Sequence, residues 1–311
     1  MVEESEAVVT SCCASCGIAE IDDIELVPCD DCDLVKYCSD ECREDHKSEH
    51  EEACKERAAE LRDEVLFKQP ESTHLGDCPI CCLPLPLDIS KSTMMACCSK
   101  VICDGCSYAY QNREREMRLR PSCPFCRKLT PENNEQIDKR KAERIEANDP
   151  VAIREWGSKH YVKGDYKSAF EYYTKAAELG DALAHHMLAD MYHGEEGVEK
   201  DEAKKVHHAE EAAIGGHPDA RYNLGVHEWN NNDNAERAVK HWIIAATLGD
   251  NGSITELIDV FKEGFVEKEI LTATFRAHKA AVDATKSPER KAAEEYQQSI
   301  GGQTESTERR S

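Results

Sequence analysis

Four pairs of metal-binding side chains stand within the first 54 residues: Cys13-x2-Cys16, Cys29-x2-Cys32, Cys38-x3-Cys42 and His50-x3-Cys54. A CxxC turn sets two sulfurs on one side of a tight loop, and an HxxxC spacing on a helix sets both groups on one face. Each pair is half of a tetrahedral site, so these eight groups amount to two zinc ions. Three further CxxC pairs follow, Cys78/Cys81, Cys103/Cys106 and Cys123/Cys126, and the adjacent Cys97 and Cys98 supply the sulfurs that a second four-ligand site there requires. The expected cofactor is zinc, about four ions per chain by tetrahedral ligand counting. No GxGxxG, P-loop or HExxH run points to small-molecule catalysis.

All 17 cysteines lie between Cys12 and Cys126, and the remaining 185 residues contain none. The opening run MVEESEAVV is acidic where a secretory signal would be basic and then apolar, and no stretch of about 18 apolar residues is present. An intracellular chain, cytoplasmic or nuclear and without a membrane span, is therefore expected, with thiolate metal sites in preference to disulfides. The formal charge of −23 repels nucleic-acid phosphates and anionic lipid, which disfavours both as partners. Residues 1–54 hold 17 acidic and 3 basic side chains, so a partner of that face should be basic or neutral.

About 44 residues with few large apolar side chains bury too little surface to fold alone, whereas a structural zinc contributes on the order of 10 to 16 kcal/mol. The metal is the core of each module. The expected organisation is an acidic disordered segment 1–10, a first zinc module 11–54, a charged helical linker 55–76, a second zinc module 77–130 and a charged helical linker 131–147. A helical array 148–285 and a polar tail 286–311, read as a helical fringe and a disordered end, complete it. The fold class is multidomain: two small α+β modules holding two zincs each, then an all-α repeat solenoid.

The order CxxC, CxxC, YCSxxC, HxxxC resembles the MYND-type zinc finger, with Tyr37, Cys38 and Ser39 at its YCS. The resemblance implies interleaved sites: Cys13, Cys16, Cys38 and Cys42 on one zinc, and Cys29, Cys32, His50 and Cys54 on the other. Lys47 stands where that family usually has a tryptophan, which puts its grip on proline peptides outside the resemblance. His46 lacks an HxxxC partner and reads as a surface side chain. Cys12 reads as a free thiol, with substitution in a CxxxC pairing as the alternative.

The second module resembles a RING finger: Cys98, Lys100, Cys103 and Cys106 fall on its central frame, with lysine where histidine should ligate. A protonated amine cannot bind zinc, so either Cys97 and Cys98 both ligate or that site lacks one ligand; the all-cysteine variant is preferred. The resemblance then implies Cys78, Cys81, Cys103 and Cys106 on one zinc and Cys97, Cys98, Cys123 and Cys126 on the other, leaving Cys82 packed and spare. It also implies recruitment of a ubiquitin-conjugating enzyme through Ile80 and Pro124, with Arg127 bridging to ubiquitin. Arginine's fork of donors would hold the thioester-linked ubiquitin in a near-attack pose without a covalent enzyme intermediate.

Gly180, Gly216 and Gly249 each follow an alanine pair at spacings of 36 and 33 residues, and Asn148 and Ala284 extend the series by 32 and 35. Four helix hairpins are expected, the last degenerate, with glycine ending the second helix and alanine permitting close approach. The pattern resembles Sel-one-like repeats, tetratricopeptide relatives, with Trp156-Gly157 and Leu224-Gly225 at the Leu-Gly position. That resemblance implies a protein-binding concave surface. Trp156, Trp229 and Trp242 are expected in the core, and the neighbouring His185/His186 and His207/His208 at the surface, since adjacent helical residues point about 100° apart. The favoured reading is a RING-type ubiquitin ligase that selects protein substrates with its repeats and first finger; the alternative is a non-enzymatic adaptor.

Overall fold

The structure, a computed structural model, describes residues 11–20, 24–231 and 234–308; the N-terminal segment expected to be disordered lies outside them. The chain divides into two compact units, Met1–Lys68 and Gln69–Ser311. No helix among the described residues is long and apolar enough to cross a membrane.

In the first unit, β1 (Val27–Pro28) pairs antiparallel with β2 (Lys36–Tyr37), and a bridge joins Cys13 to Lys36. The interior is small: Cys13, Leu26 and Tyr37 are buried, ringed by Cys29, Cys38 and Cys42. Helix α1 (Asp40–Leu66) starts where Ser39 accepts the Cys42 N–H at 3.2 Å, with Asp40 and Glu41 complementing the helix dipole. It runs unbroken past Cys54 through much of the segment expected to be a linker. Beyond the metal-binding positions it is polar, laced by Lys55 with Glu51 and by Arg57 with Asp33, Glu60 and Glu64.

The second unit opens with a finger in which bridges Asp77↔Pro84 and Ser122↔Leu129 close two metal turns. Between them β3 (Ser92–Met95) and β4 (Lys100–Cys103) pair antiparallel, Ser92 opposite Cys103, and α2 (Asp104–Glu116) follows. Cys78, Leu85, Ile102 and Cys103 form its buried centre. Glu114 is buried and accepts both the N–H and the hydroxyl of Ser122 at 3.0 and 2.7 Å, which ties the last cysteine loop to α2.

After α3 (Asn134–Glu146) come the hairpins α4 (Pro150–Val162) with α5 (Tyr166–Glu178), α6 (Ala182–Gly194) with α7 (Glu202–Ile214), and α8 (Pro218–Asn231) with α9 (Ala235–Thr247). Helices α10 (Asn251–Lys262) and α11 (Lys268–Ala284) follow as a looser pair. Asp149, Asp181 and Asp250 cap the first helices of their hairpins and Asp165, Asp201 and Asn234 the second. Gly180, Gly216 and Gly249 end the second helices at φ of 85°, 81° and 100°, a conformation that glycine adopts without a Cβ penalty. The paired alanines before them are all buried.

Two expectations are corrected here. Of the tryptophans, Trp242 is fully buried with Trp229 tilted against it at 5.8 Å, but Trp156 is half-exposed, its ring covered by the Lys159 ammonium at 4.5 Å. The segment expected to be a polar tail contains α12 (Pro288–Glu308), which packs against α2. Its few apolar groups suffice because Ala293 is buried, the Tyr296 ring lies tilted against Tyr108 at 4.8 Å, and Lys91–Glu294 and Gln297–Asp104 bonds of 2.7 and 2.9 Å flank them.

The glycines at the Leu-Gly positions serve close packing. A Cβ on Gly225 would lie 2.5 Å from the Trp242 indole nitrogen, and one on Gly157 would lie 2.9 Å from the Tyr173 ring. Gly225→Ala should therefore lower unfolding stability by about 1 to 3 kcal/mol through overpacking, measured by urea unfolding of the full chain. An unchanged midpoint would contradict this packing.

Candidate metal centres

Sixteen side chains that sequence spacing nominates gather into four groups, each with its ligand atoms within 4.8 Å of one another. In the first unit Cys13, Cys16, Cys38 and Cys42 converge, and so do Cys29, Cys32, His50 and Cys54. The hairpin supplies the CxxC turns, while α1 presents Cys42 from its first turn and His50 with Cys54 one turn apart. In the second unit Cys78, Cys81, Cys103 and Cys106 form one group and Cys97, Cys98, Cys123 and Cys126 the other. In both fingers each group takes alternate pairs along the chain.

The separations fit zinc. A tetrahedron with Zn–S of about 2.3 Å has edges of about 3.8 Å, whereas a disulfide requires about 2.05 Å. The sulfur pairs Cys16–Cys38, Cys29–Cys54, Cys81–Cys103 and Cys98–Cys123 lie 3.5, 3.7, 3.8 and 3.9 Å apart, and Cys97–Cys126 3.3 Å. His50 Nε2 stands 3.1 Å from Cys32 Sγ, which makes the ε nitrogen the one that faces the metal position. Backbone amides favour the thiolate form at Cys78 and Cys13. Burial opposes ionisation of Cys78, but N–H groups of Cys81, Cys103 and Ile80 outweigh it and bring its thiol down to about 7. At Cys13 burial is likewise outweighed, by N–H groups of Cys16, Cys38 and Ser15, and its thiol falls to about 6.

Lys100 takes no part in a cluster; it is exposed on β4 with its ammonium 5.9 Å from the Phe125 ring. Cys97 and Cys98 can both reach the metal because the β3–β4 turn folds back, with Cys98 and Ser99 N–H groups donating to the Met95 carbonyl. Cys12 and Cys82 lie outside the clusters, and Cys82, expected to be packed, is exposed on a left-handed turn at φ 55°. His46 is a further departure from expectation. Its Nδ1 stands 3.2 Å from the Tyr37 hydroxyl and its ring lies parallel to that of His50 at 5.8 Å, so it is held against Tyr37 and a metal-binding side chain instead of standing free in solvent. The one-turn spacing of the two histidines was the available signal.

A fifth group, His186, His217 and Asp219, is a packing cluster. His217 is sandwiched face to face between His186 and His74, at 4.2 and 4.1 Å, and its Nδ1 accepts the Ala220 N–H. Parallel rings cannot aim two in-plane lone pairs at one ion. His185 and His208 also meet across their hairpin, Nδ1 to Nδ1 at 3.0 Å, so these histidines join helices where surface positions were expected. Burial holds His74 and His208 down to about 4, leaving them neutral at physiological pH.

Ile80 and Arg127 are exposed and Pro124 is half-buried. Arg127 sits at φ 64° with its guanidinium 5.6 Å from the Tyr110 ring. Phe125, which the sequence did not single out, is exposed inside the last metal turn.

Residues 13–54 match the family model for the MYND finger. Residues 152–181, 182–217 and 218–250 each match that for the Sel1 repeat. The chain thus carries a zinc-binding MYND finger and a Sel1 repeat array, while the second finger rests on its cysteine clusters. No curated protein is recognisably similar to this chain. Similar solved structures include a Sel1 repeat protein from Oxalobacter formigenes, 25% identical with a TM-score of 0.42, over 48% of this chain and 65% of that one. Another is a protective antigen of uropathogenic Escherichia coli strains displaying an SLR fold, 27% identical with a TM-score of 0.40, over 48% of this chain and 33% of that one. The chain therefore spans less than two thirds of the length of either.

Metal analysis of the purified chain should give about four zinc ions. Cys97→Ser and Cys98→Ser should each weaken one of them, whereas Lys100→Ala, Cys12→Ser and Cys82→Ser should retain all. Zinc loss in Lys100→Ala alone would reverse the assignment of the second finger.

Proposed function

We propose that this protein is a zinc-dependent protein-interaction protein that acts as a RING-type ubiquitin ligase. The observation that carries the reading is the alternate-pair gathering of the second finger, Cys78/Cys81 with Cys103/Cys106 and Cys97/Cys98 with Cys123/Cys126. Two ions so arranged hold two metal turns as rigid surface loops. One presents Ile80 to solvent, the other Phe125 beside Pro124, and Arg127 follows directly. A ubiquitin-conjugating enzyme would dock on these apolar tips, and the Arg127 guanidinium would hold ubiquitin's carbonyls for attack by the substrate amine. The finger supplies position, and the thioester bond is broken on the conjugating enzyme. The Sel1 repeats and the MYND finger would select the protein to be modified.

A second reading is favoured by the family matches, which lie on the MYND finger and the Sel1 repeats. On that reading the chain is an adaptor that joins partners without transferring ubiquitin.

Discharge of ubiquitin from a panel of charged conjugating enzymes separates the two. Zinc-loaded protein should accelerate discharge, and Ile80→Ala and Arg127→Ala should each cut the rate about tenfold, or about 1.4 kcal/mol of transition-state stabilisation. Failure of the whole panel with zinc bound would sink the ligase reading and leave the adaptor.

A further inference from the structure

The zinc group Cys78, Cys81, Cys103 and Cys106 has a neighbour 209 residues away in sequence. Arg290, in the first turn of α12, is 7% exposed and lies against the first metal turn. Its Nη2 donates to Cys81 Sγ at 3.5 Å and to the Leu83 carbonyl at 3.2 Å. Its Nη1 donates to the carbonyls of Pro84 and Thr285 at 2.7 and 2.6 Å. The backbone fits as closely as the side chain: a Cβ on Gly105, inside the Cys103–Cys106 turn, would come within 2.6 Å of the Arg290 amide nitrogen.

Charge makes this contact more than packing. A buried guanidinium is costly unless an anion neutralises it, and around Arg290 stand neutral carbonyls and the sulfurs of Cys103 and Cys81. Four thiolates around Zn²⁺ carry a net charge of −2, and Cys78 and Cys103 are almost wholly buried. The arginine therefore sets a positive charge against the anionic zinc centre, and the centre supplies the anion that the buried guanidinium requires.

We propose that Arg290 is the outer-sphere counter-ion of the Cys78/Cys81/Cys103/Cys106 zinc centre, so that zinc loading of this site and docking of helix α12 on the finger are coupled. Zinc stabilises the docked helix, and the docked helix raises affinity at this one site by the same factor. Lys91–Glu294, Gln297–Asp104 and the Tyr108–Tyr296 ring contact hold the rest of the helix along α2. The carboxy-terminal helix thereby reports whether the finger is metallated, and it fastens the finger to the end of the repeat array.

The test uses the full chain, with zinc stripped stepwise by a chelator. Alkylation of Cys81 and Cys106, mapped by mass spectrometry, gives occupancy of this site, and hydrogen exchange over residues 288–299 gives docking of α12. In the wild type the two should change together. Arg290→Met should weaken zinc at this site by about 10- to 100-fold and leave the other three clusters unchanged, with Arg290→Lys recovering part of the loss. Tyr296→Ala, which leaves the guanidinium in place, should loosen α12 and weaken the same zinc by a smaller factor. The proposal is overturned if Arg290→Met keeps the wild-type alkylation profile. It is equally overturned if Tyr296→Ala frees the helix while Cys81 and Cys106 stay protected as before.

Discussion

In each finger, two metal positions that draw ligands from alternating pairs along the chain are the constraint on which the fold depends. A single zinc between consecutive pairs would close one loop and leave the next free. Alternation locks each loop into its neighbour, so Cys38 and Cys42 must return to Cys13 and Cys16 across the β1–β2 hairpin, and Cys103 and Cys106 to Cys78 and Cys81 across β3–β4. The strands are two and four residues long. Such short pairs are not stable by themselves. Metal bonds worth on the order of 10 kcal/mol per site replace the apolar core that these modules lack.

Beyond the fingers, the second unit is organised by the turns between repeats. The His74 amide bonds the Gly216 carbonyl at 2.9 Å, the Thr247 hydroxyl meets Gln69 at 3.0 Å, and Asp149, the cap of α4, receives Arg144 and Ser99. Burial opposes the charge of Asp149, but those donors together with the Ala152 N–H hold it below the ordinary carboxylate range. The residues that end one repeat and begin the next thus also anchor the second finger and its lead-in segment. A ligand held by the repeats and a partner held by the finger would in consequence keep a defined separation.

Much of this was legible in the sequence, because thiolate coordination demands particular residues at particular spacings and a solenoid demands small residues at a fixed period. The YCS run, the CxxC turns and the Gly180/Gly216/Gly249 series each carry a local stereochemical requirement that neighbouring residues can display. What escaped depends on contacts between distant segments. Arg290 belongs to a polar stretch with little apolar content, and nothing near it in sequence indicates a thiolate partner. His46 and His185 stand where surface histidines commonly stand, and their roles follow from Tyr37 and His208, which only folding brings near. Lys100 occupies an expected ligand position, yet the tight turn after Met95 lets Cys97 and Cys98 both face the metal, so its chemistry ceases to matter.

Cadmium-113 NMR of the cadmium-substituted chain tests the alternating arrangement most directly, since each resonance reports its donor set and couples to the protons of its own ligands. Four resonances are expected, three with four-sulfur shifts and one with a three-sulfur, one-nitrogen shift coupled to His50, together with correlations from one metal to both Cys78/Cys81 and Cys103/Cys106. Correlations that instead join Cys78/Cys81 to Cys97/Cys98, or fewer than four metals, would contradict the alternating arrangement.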